Sequence, residues 1–149
     1  MAQSTQVVNA CDAEVFLDDI NGVLQDISGS SNQVTMTWDN ALGEFHTFGA
    51  PWRAMQECGK AIDVTLNAVY SLPEAEATAI LLDWWYAIPS GRRTLEVNMP
   101  DNNVGSDHFE GEYRLDSLSA TMDPADPNAT IMTAELKSDL VQTHTTTAT

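Results

Sequence analysis

Residues 33–39 read QVTMTWD, and residues 62–71 read IDVTLNAVYS. In the first, Val34, Met36 and Trp38 point one way while Thr35, Thr37 and Asp39 point the other. In the second, Ile62, Val64, Leu66, Ala68 and Tyr70 form one face, and Asp63, Thr65, Asn67 and Ser71 lie opposite. A period of two is the mark of a strand with one dry and one wet face, because successive side chains leave a strand on opposite sides. The same alternation recurs downstream. Leu95, Val97 and Met99 alternate with Thr94, Glu96 and Asn98, and Phe109, Gly111, Tyr113 and Leu115 with His108, Glu110, Glu112, Arg114 and Asp116. The phase slips by one between Leu115 and Leu118, which predicts a bulge. Residues 130–137 read as a last strand.

Upstream, Val15-Phe16-Leu17 and Val23-Leu24 flank Asp18–Gly22, where Asn21-Gly22 is a hairpin signal. A single helix interrupts the strands over 73–89. Pro73 suits its first turn, Glu74 and Glu76 suit the positive end of its dipole, and Pro89-Ser90-Gly91 stops it. Ile80, Leu81, Trp84, Trp85 and Ile88 make a broad apolar stripe, so Trp84 and Trp85 read as core rather than as a sugar-stacking platform. The expected fold is mainly β: a β-sandwich or partial barrel with one flanking helix, in one domain over 1–149. Residues 1–13 are an N-terminal arm, 40–59 a long loop, and 141–149 a mobile polar tail.

Charge narrows the function classes. Six Lys and Arg against 22 Asp and Glu give a formal net charge of −16. Such a chain has no basic surface with which to grip nucleic-acid phosphates or an anionic membrane. With 43% hydrophobic residues it is not compositionally disordered. The first ten residues, MAQSTQVVNA, lack the positive start and apolar run of a secretory signal, so Cys11 and Cys58 are expected as free thiols.

No motif calls for catalysis, a cofactor or a metal. Carboxylate pairs arise by chance among 22 acids. His46, His108 and His144 are far apart in sequence and share no metal spacing with the cysteines. Asp123, Asp126 and Asn128 lack the pattern of a calcium loop, and Asn128-Ala129-Thr130 is a glycosylation triplet without evidence of export. No phosphate loop or nucleophile elbow is present.

Three stretches together carry a resemblance: VFLDDINGVLQDISGSSNQVTMTWDNALGEFHTFGAPWRAMQECGKAIDVTLNAVYS, RRTLEVNMPDNNVGSDHFEGEYRLDSLSATMD and NATIMTAELKSDL. The first resembles phage tail tube proteins, with a short hairpin ending in Asp26-Ile27-Ser28, then His46-Thr47-Phe48-Gly49 in a long loop, and Gly59-Lys60-Ala61 before a long strand. The others resemble that family's later hairpin and closing strand, and the likeness spans most of residues 14–140.

The resemblance implies a virion protein whose sheets join edge to edge into hexameric rings. The rings stack into a tube that carries double-stranded DNA to the host cell. Its implied partners are copies of itself and the tape measure, tail terminator and baseplate or tip proteins. A bore for DNA should be polar and acidic, so that phosphates slide rather than stick. The expected bore lining is Thr35, Thr37, Asp39, Asp63, Thr65, Asn67, Thr94, Glu96, Asn98, Glu110 and Glu112. The expected inter-subunit loop residues are Phe45, His46, Phe48, Trp52 and Met55. The competing reading is a carbohydrate-binding β-sandwich, an adhesin or receptor-binding module, that uses the same loop aromatics.

Overall fold

The computed structural model describes residues 13–49, 51–70, 76–99, 106–122, 124–125 and 130–146. Its strands are β1 (Glu14–Asp18), β2 (Leu24–Asp26), β3 (Ser31–Phe45), β4 (Ala54–Val69), β5 (Arg92–Met99), β6 (Asp107–Thr121) and β7 (Ile131–Thr146), and α1 (Ala77–Tyr86) lies between β4 and β5. All seven strands belong to one antiparallel sheet in the order β2-β1-β5-β6-β7-β4-β3.

The sheet is dry on one side, as the alternation predicts. Val15, Leu17, Val64, Leu66, Ala68, Leu95, Val97, Tyr113, Met132, Ala134 and Leu136 are buried on its apolar face. The sheet curls around that face. Trp38 on β3 touches Phe109 on β6, three strands away, with ring centroids 5.7 Å apart. Val34, Met36 and Trp38 of β3 share a 680 Å³ cavity with Val15 of β1 and Val97 and Met99 of β5. The two ends of the sheet therefore approach each other, and the architecture is a partial barrel left open between its edge strands, β2 and β3.

Helix α1 lies against this face through buried Ala77, Thr78, Ile80, Leu81 and Trp84, and the Trp84 indole N–H donates to Gly91 O at 3.2 Å. Arg93, which shares the parity of Leu95 and Val97, is buried beneath the helix. It stacks 5.4 Å from the Trp84 ring, and its Nη1 donates to Ile80 O and Asp18 O. The β1–β2 turn closes as Asn21-Gly22 predicts: Gly22 has φ +74°, and the Asp19 carboxylate accepts the Asn21 and Val23 N–H groups. Those bonds, Val23's first, hold the Asp19 pKa below its usual value.

Four expectations need correction. Residues 40–59 are not a long loop: β3 and β4 continue through them as a hairpin, from Asn40↔Lys60 to Phe45↔Ala54, with a bulge between Ala41 and Leu42. The segment lacks alternation because this part of the hairpin is wet on both faces. The stretch from Gln142 to Thr146 is strand rather than tail: Thr143–Thr146 pairs with Asp107–Glu110. The helix ends at Tyr86, not at 89; Ile88 precedes Pro89, and the proline ring disfavours helical geometry there. Trp85 is 50% exposed and Ile88 97% exposed, so the apolar stripe is narrower than expected. The arm over 1–12, the calcium-like loop at 123 and 126–128, most of the glycosylation triplet, and Cys11 lie outside the described residues. Cys58 is exposed and unpaired on the hairpin. Among the described residues, no helix is long and apolar enough to cross a membrane.

Candidate functional site: a polar sheet face and a free hairpin

From β5 through β6, β7 and β4 to β3 the face of the sheet opposite the core is largely polar, and register places all eleven residues expected there on it. Thr35 pairs with Thr65 and Thr37 with Asp63 across β3–β4, and Glu112 pairs with Thr94, Glu110 with Glu96 and His108 with Asn98 across β5–β6. Hydrogen bonds tie neighbouring strands along this face. Asn67 Nδ2 donates to Gln33 Oε1 at 3.0 Å, Thr133 Oγ1 to Asn67 Oδ1 at 2.8 Å, and Thr94 Oγ1 to Glu112 Oε1 at 2.5 Å. Asp39 stands at the margin, opposite Ala61, where the hairpin leaves the sheet.

Sequence reading missed the β7 contribution to this face, Thr133, Glu135, Lys137 and Asp139, because strand partners are not local in sequence. It also missed how the cations there are held. Lys137 lies 3.3 Å from Asp63, and Arg114 lies 2.7 Å from Asp139, with Arg92 behind at 3.9 Å. The hydrogen bond to Asp63 raises the Lys137 pKa. Among the described residues, Glu96, Glu110, Glu112 and Glu135 have no Lys or Arg ion pair. Burial, then the neighbouring Glu110, raises the Glu96 pKa.

The β3–β4 hairpin projects away from the sheet. β4 pairs with β7 only from Asp63 to Val69, so from Ala54 to Ile62 its ladder partner is β3. At about 3.4 Å per residue, this ribbon runs roughly 30 Å past the last β4–β7 pair, and its root at Trp38–Asn40 and Lys60–Ile62 shares a cleft with Leu140 and Gln142 of β7. It is studded with exposed apolar side chains: Leu42, Phe45 and Met55 on its strands, and Phe48 and Trp52 at its tip, 110% and 83% exposed. His46 lies at the tip 2.9 Å from Glu44, and Arg53 bonds the same carboxylate. A second apolar patch, Trp85, Tyr86 and Ile88, sits at the end of α1.

The β6–β7 ladder carries one sharp irregularity. Opposite Gly111, β7 bulges over Leu140–Gln142, between the pairs Glu110↔Thr143 and Glu112↔Asp139. Leu140 adopts φ +67°, uncommon for a side chain with a Cβ. The Gln142 amide occupies the space a Cβ on Gly111 would need and donates to Glu112 O at 3.0 Å.

No protein-family model matches this sequence, and no curated protein matches it. Solved structures do. The SPP1 tail tube superposes with a TM-score of 0.72 at 9% identity, over 96% of this chain and 81% of that one. The tube-terminating cap of the anti-feeding prophage gives 0.72 at 13% identity, over 98% and 95%. The tail of an empty gene transfer agent particle, refined helically with C6 symmetry, gives 0.67 at 11% identity, over 93% and 99%. The fold is thus that of tail and tube components of phage-like particles.

Proposed function

We propose that this chain is a structural subunit of a virion tail tube, assembling into hexameric rings that stack around a bore. The observation that carries this reading is the division of the single sheet. One face buries the core and the other is largely polar, while the apolar surface left over is concentrated on a ribbon that projects out of the subunit. That surface has the extent and position of an inter-subunit arm. The open edges at β2 and β3 supply unsatisfied backbone groups, and pairing with neighbours would satisfy them. The fold shared with the C6-symmetric tail and the SPP1 tube supports the same assembly.

In this reading the polar face lines the bore. Its Lys and Arg are held by Asp63 and Asp139, and the excess carboxylates face the lumen. Phosphates of passing double-stranded DNA are repelled by such a wall, so the duplex slides without being held. Assembly also calls for partners at the two ends of the tube, a terminator and a baseplate or tip, and for a tape measure within it. The activity is mechanical, and no catalytic role is assigned.

Electron microscopy of the purified chain tests the proposal. Tubes or six-fold rings are the expected result. A monodisperse monomer that binds a glycan array through Phe48 and Trp52 would overturn it in favour of carbohydrate recognition.

A further inference from the structure

On the polar face, β5 and β6 bring together three side chains that sequence spacing keeps apart. Glu96 and Glu110 are direct cross-strand partners, and His108 sits opposite Asn98 two pairs along, on the same face. One ligand atom from each of Glu96, His108 and Glu110 lies within 4.8 Å of the others. Two carboxylates facing each other across a ladder repel, and the pair needs a positive charge nearby.

Asn98 supplies the second element. It is only 3% exposed, and its Oδ1 is hydrogen-bonded to His108 Nδ1. A carbonyl oxygen only accepts, so Nδ1 carries the proton. In the neutral ring the Nε2 lone pair is then directed at Glu110 Oε2, 3.3 Å away. A proton on Nε2 makes this contact an ion pair, and a metal ion bound by the lone pair and the carboxylate takes the same place. A histidine oriented by a buried side-chain carbonyl, with its other nitrogen beside carboxylates, is the usual arrangement of an imidazole metal ligand. The His108–Glu110 separation agrees with such a site: ligands bound tetrahedrally at about 2.0–2.1 Å stand about 3.3–3.4 Å apart.

We propose that Glu96, His108 and Glu110 form a binding site for a divalent transition cation of the zinc class. The imidazole in the donor set selects such a metal over calcium or magnesium. Three protein ligands leave a fourth position open toward the polar face. Bound metal would turn the Glu96–Glu110 repulsion into a cross-link between β5 and β6. Asn98 is a positioning residue.

The test is isothermal titration of zinc chloride into the chelator-stripped full-length chain, with cobalt absorption as a spectroscopic check on ligand geometry. One saturable site per chain is expected. Its affinity should fall at least about a hundredfold in His108→Ala and in the nearly isosteric Glu110→Gln, and about ten- to a hundredfold in Asn98→Ala. His144→Ala, which removes the histidine paired with Asp107, should bind as the parent does. Zinc should raise the melting temperature of the parent but not of Glu110→Gln. Absence of saturable binding, or binding unchanged in both His108→Ala and Glu110→Gln with far-ultraviolet circular dichroism intact, would overturn the site.

Discussion

Replacing Phe48 and Trp52 together by serine should abolish tube formation while leaving the subunit folded. Both side chains stand at the hairpin tip with almost all of their surface in water, and neither belongs to the core. An aromatic side chain buries about 150–250 Å², which at about 25 cal/mol per Å² bounds its contribution at an interface to about 4–6 kcal/mol. Truncated interface aromatics cost about 2–4 kcal/mol, and such losses are not additive. We therefore expect the pair to weaken each subunit contact by about 4 kcal/mol. Since about 1.4 kcal/mol is a factor of ten, the concentration at which tubes appear should rise about a thousandfold. Within the monomer, an exposed substitution shifts stability by no more than about 0.5 kcal/mol. The assay pairs sedimentation and microscopy across a concentration series with urea unfolding of the unassembled protein. Tubes appearing at the parent concentration would refute the arm as an assembly element. A loss of several kcal/mol in monomer stability would show that the tip packs on its own subunit.

Leu66→Asp should prevent folding, since Leu66 is 0% exposed on the apolar face and a buried unpaired carboxylate costs several kcal/mol, while its neighbour Thr65→Asp on the polar face should remain folded by circular dichroism. Burial pushes the Tyr113 pKa up to about 12 from its ordinary 10; the folded state thus holds the phenol proton more tightly than the unfolded chain. That stabilisation is complete below pH 10 and is lost as pH rises toward 12, so urea midpoints should fall across this window by the equivalent of about 2–3 kcal/mol, and Tyr113→Phe should flatten the decline. Gly111→Ala should eject the Gln142 amide from the bulge and cost about 1–2 kcal/mol of unfolding free energy, and a double-mutant cycle with Gln142→Ala should show the two changes to be strongly coupled. Glu110→Lys/Glu112→Lys should still form tubes, but these should retain duplex DNA in a salt-dependent manner that the parent tubes do not show in a filter-retention assay.

The sheet was legible wherever one face is dry. Val64-Leu66-Ala68 and Leu95-Val97 betray their strands because burial selects every second residue, whereas Val34 and Met36 are half-buried and Trp38 is 56% exposed on the same parity. That alternation assigned Thr35, Thr65, Glu96 and Glu112 to one face correctly, since the period of two needs no knowledge of partners. The outer hairpin escaped because Asn40–Phe45 and Ala54–Gly59 have no dry face to leave a period, and the polar bonds across it, such as Asn40 to Glu57, leave no pattern in the sequence. The end of β7 escaped for a related reason: Thr143–Thr146 is polar on both sides, and the bulge at Leu140–Gln142 breaks its phase. Arg93 gave a local signal, its parity with Leu95, but a charged residue on a dry face is read against its type. The grouping of Glu96, His108 and Glu110 had no sequence signal, because cross-strand register is set by tertiary structure.

The projecting ribbon also bears on the kinetics of growth. Two strands without a third neighbour are marginally stable in water, so its amides should exchange with deuterium far faster in the free subunit than those of β4 beyond Asp63. In the proposed tube, a subunit joining a growing end would have to fix that ribbon and give up its conformational entropy at that moment. Two free subunits each bear this loss for a single contact, whereas an end already built offers a rigid template and several contacts at once. If the chain builds the proposed tube, spontaneous initiation would thereby be penalised relative to extension, and a pool of subunits would accumulate unpolymerised until a preformed end seeds it.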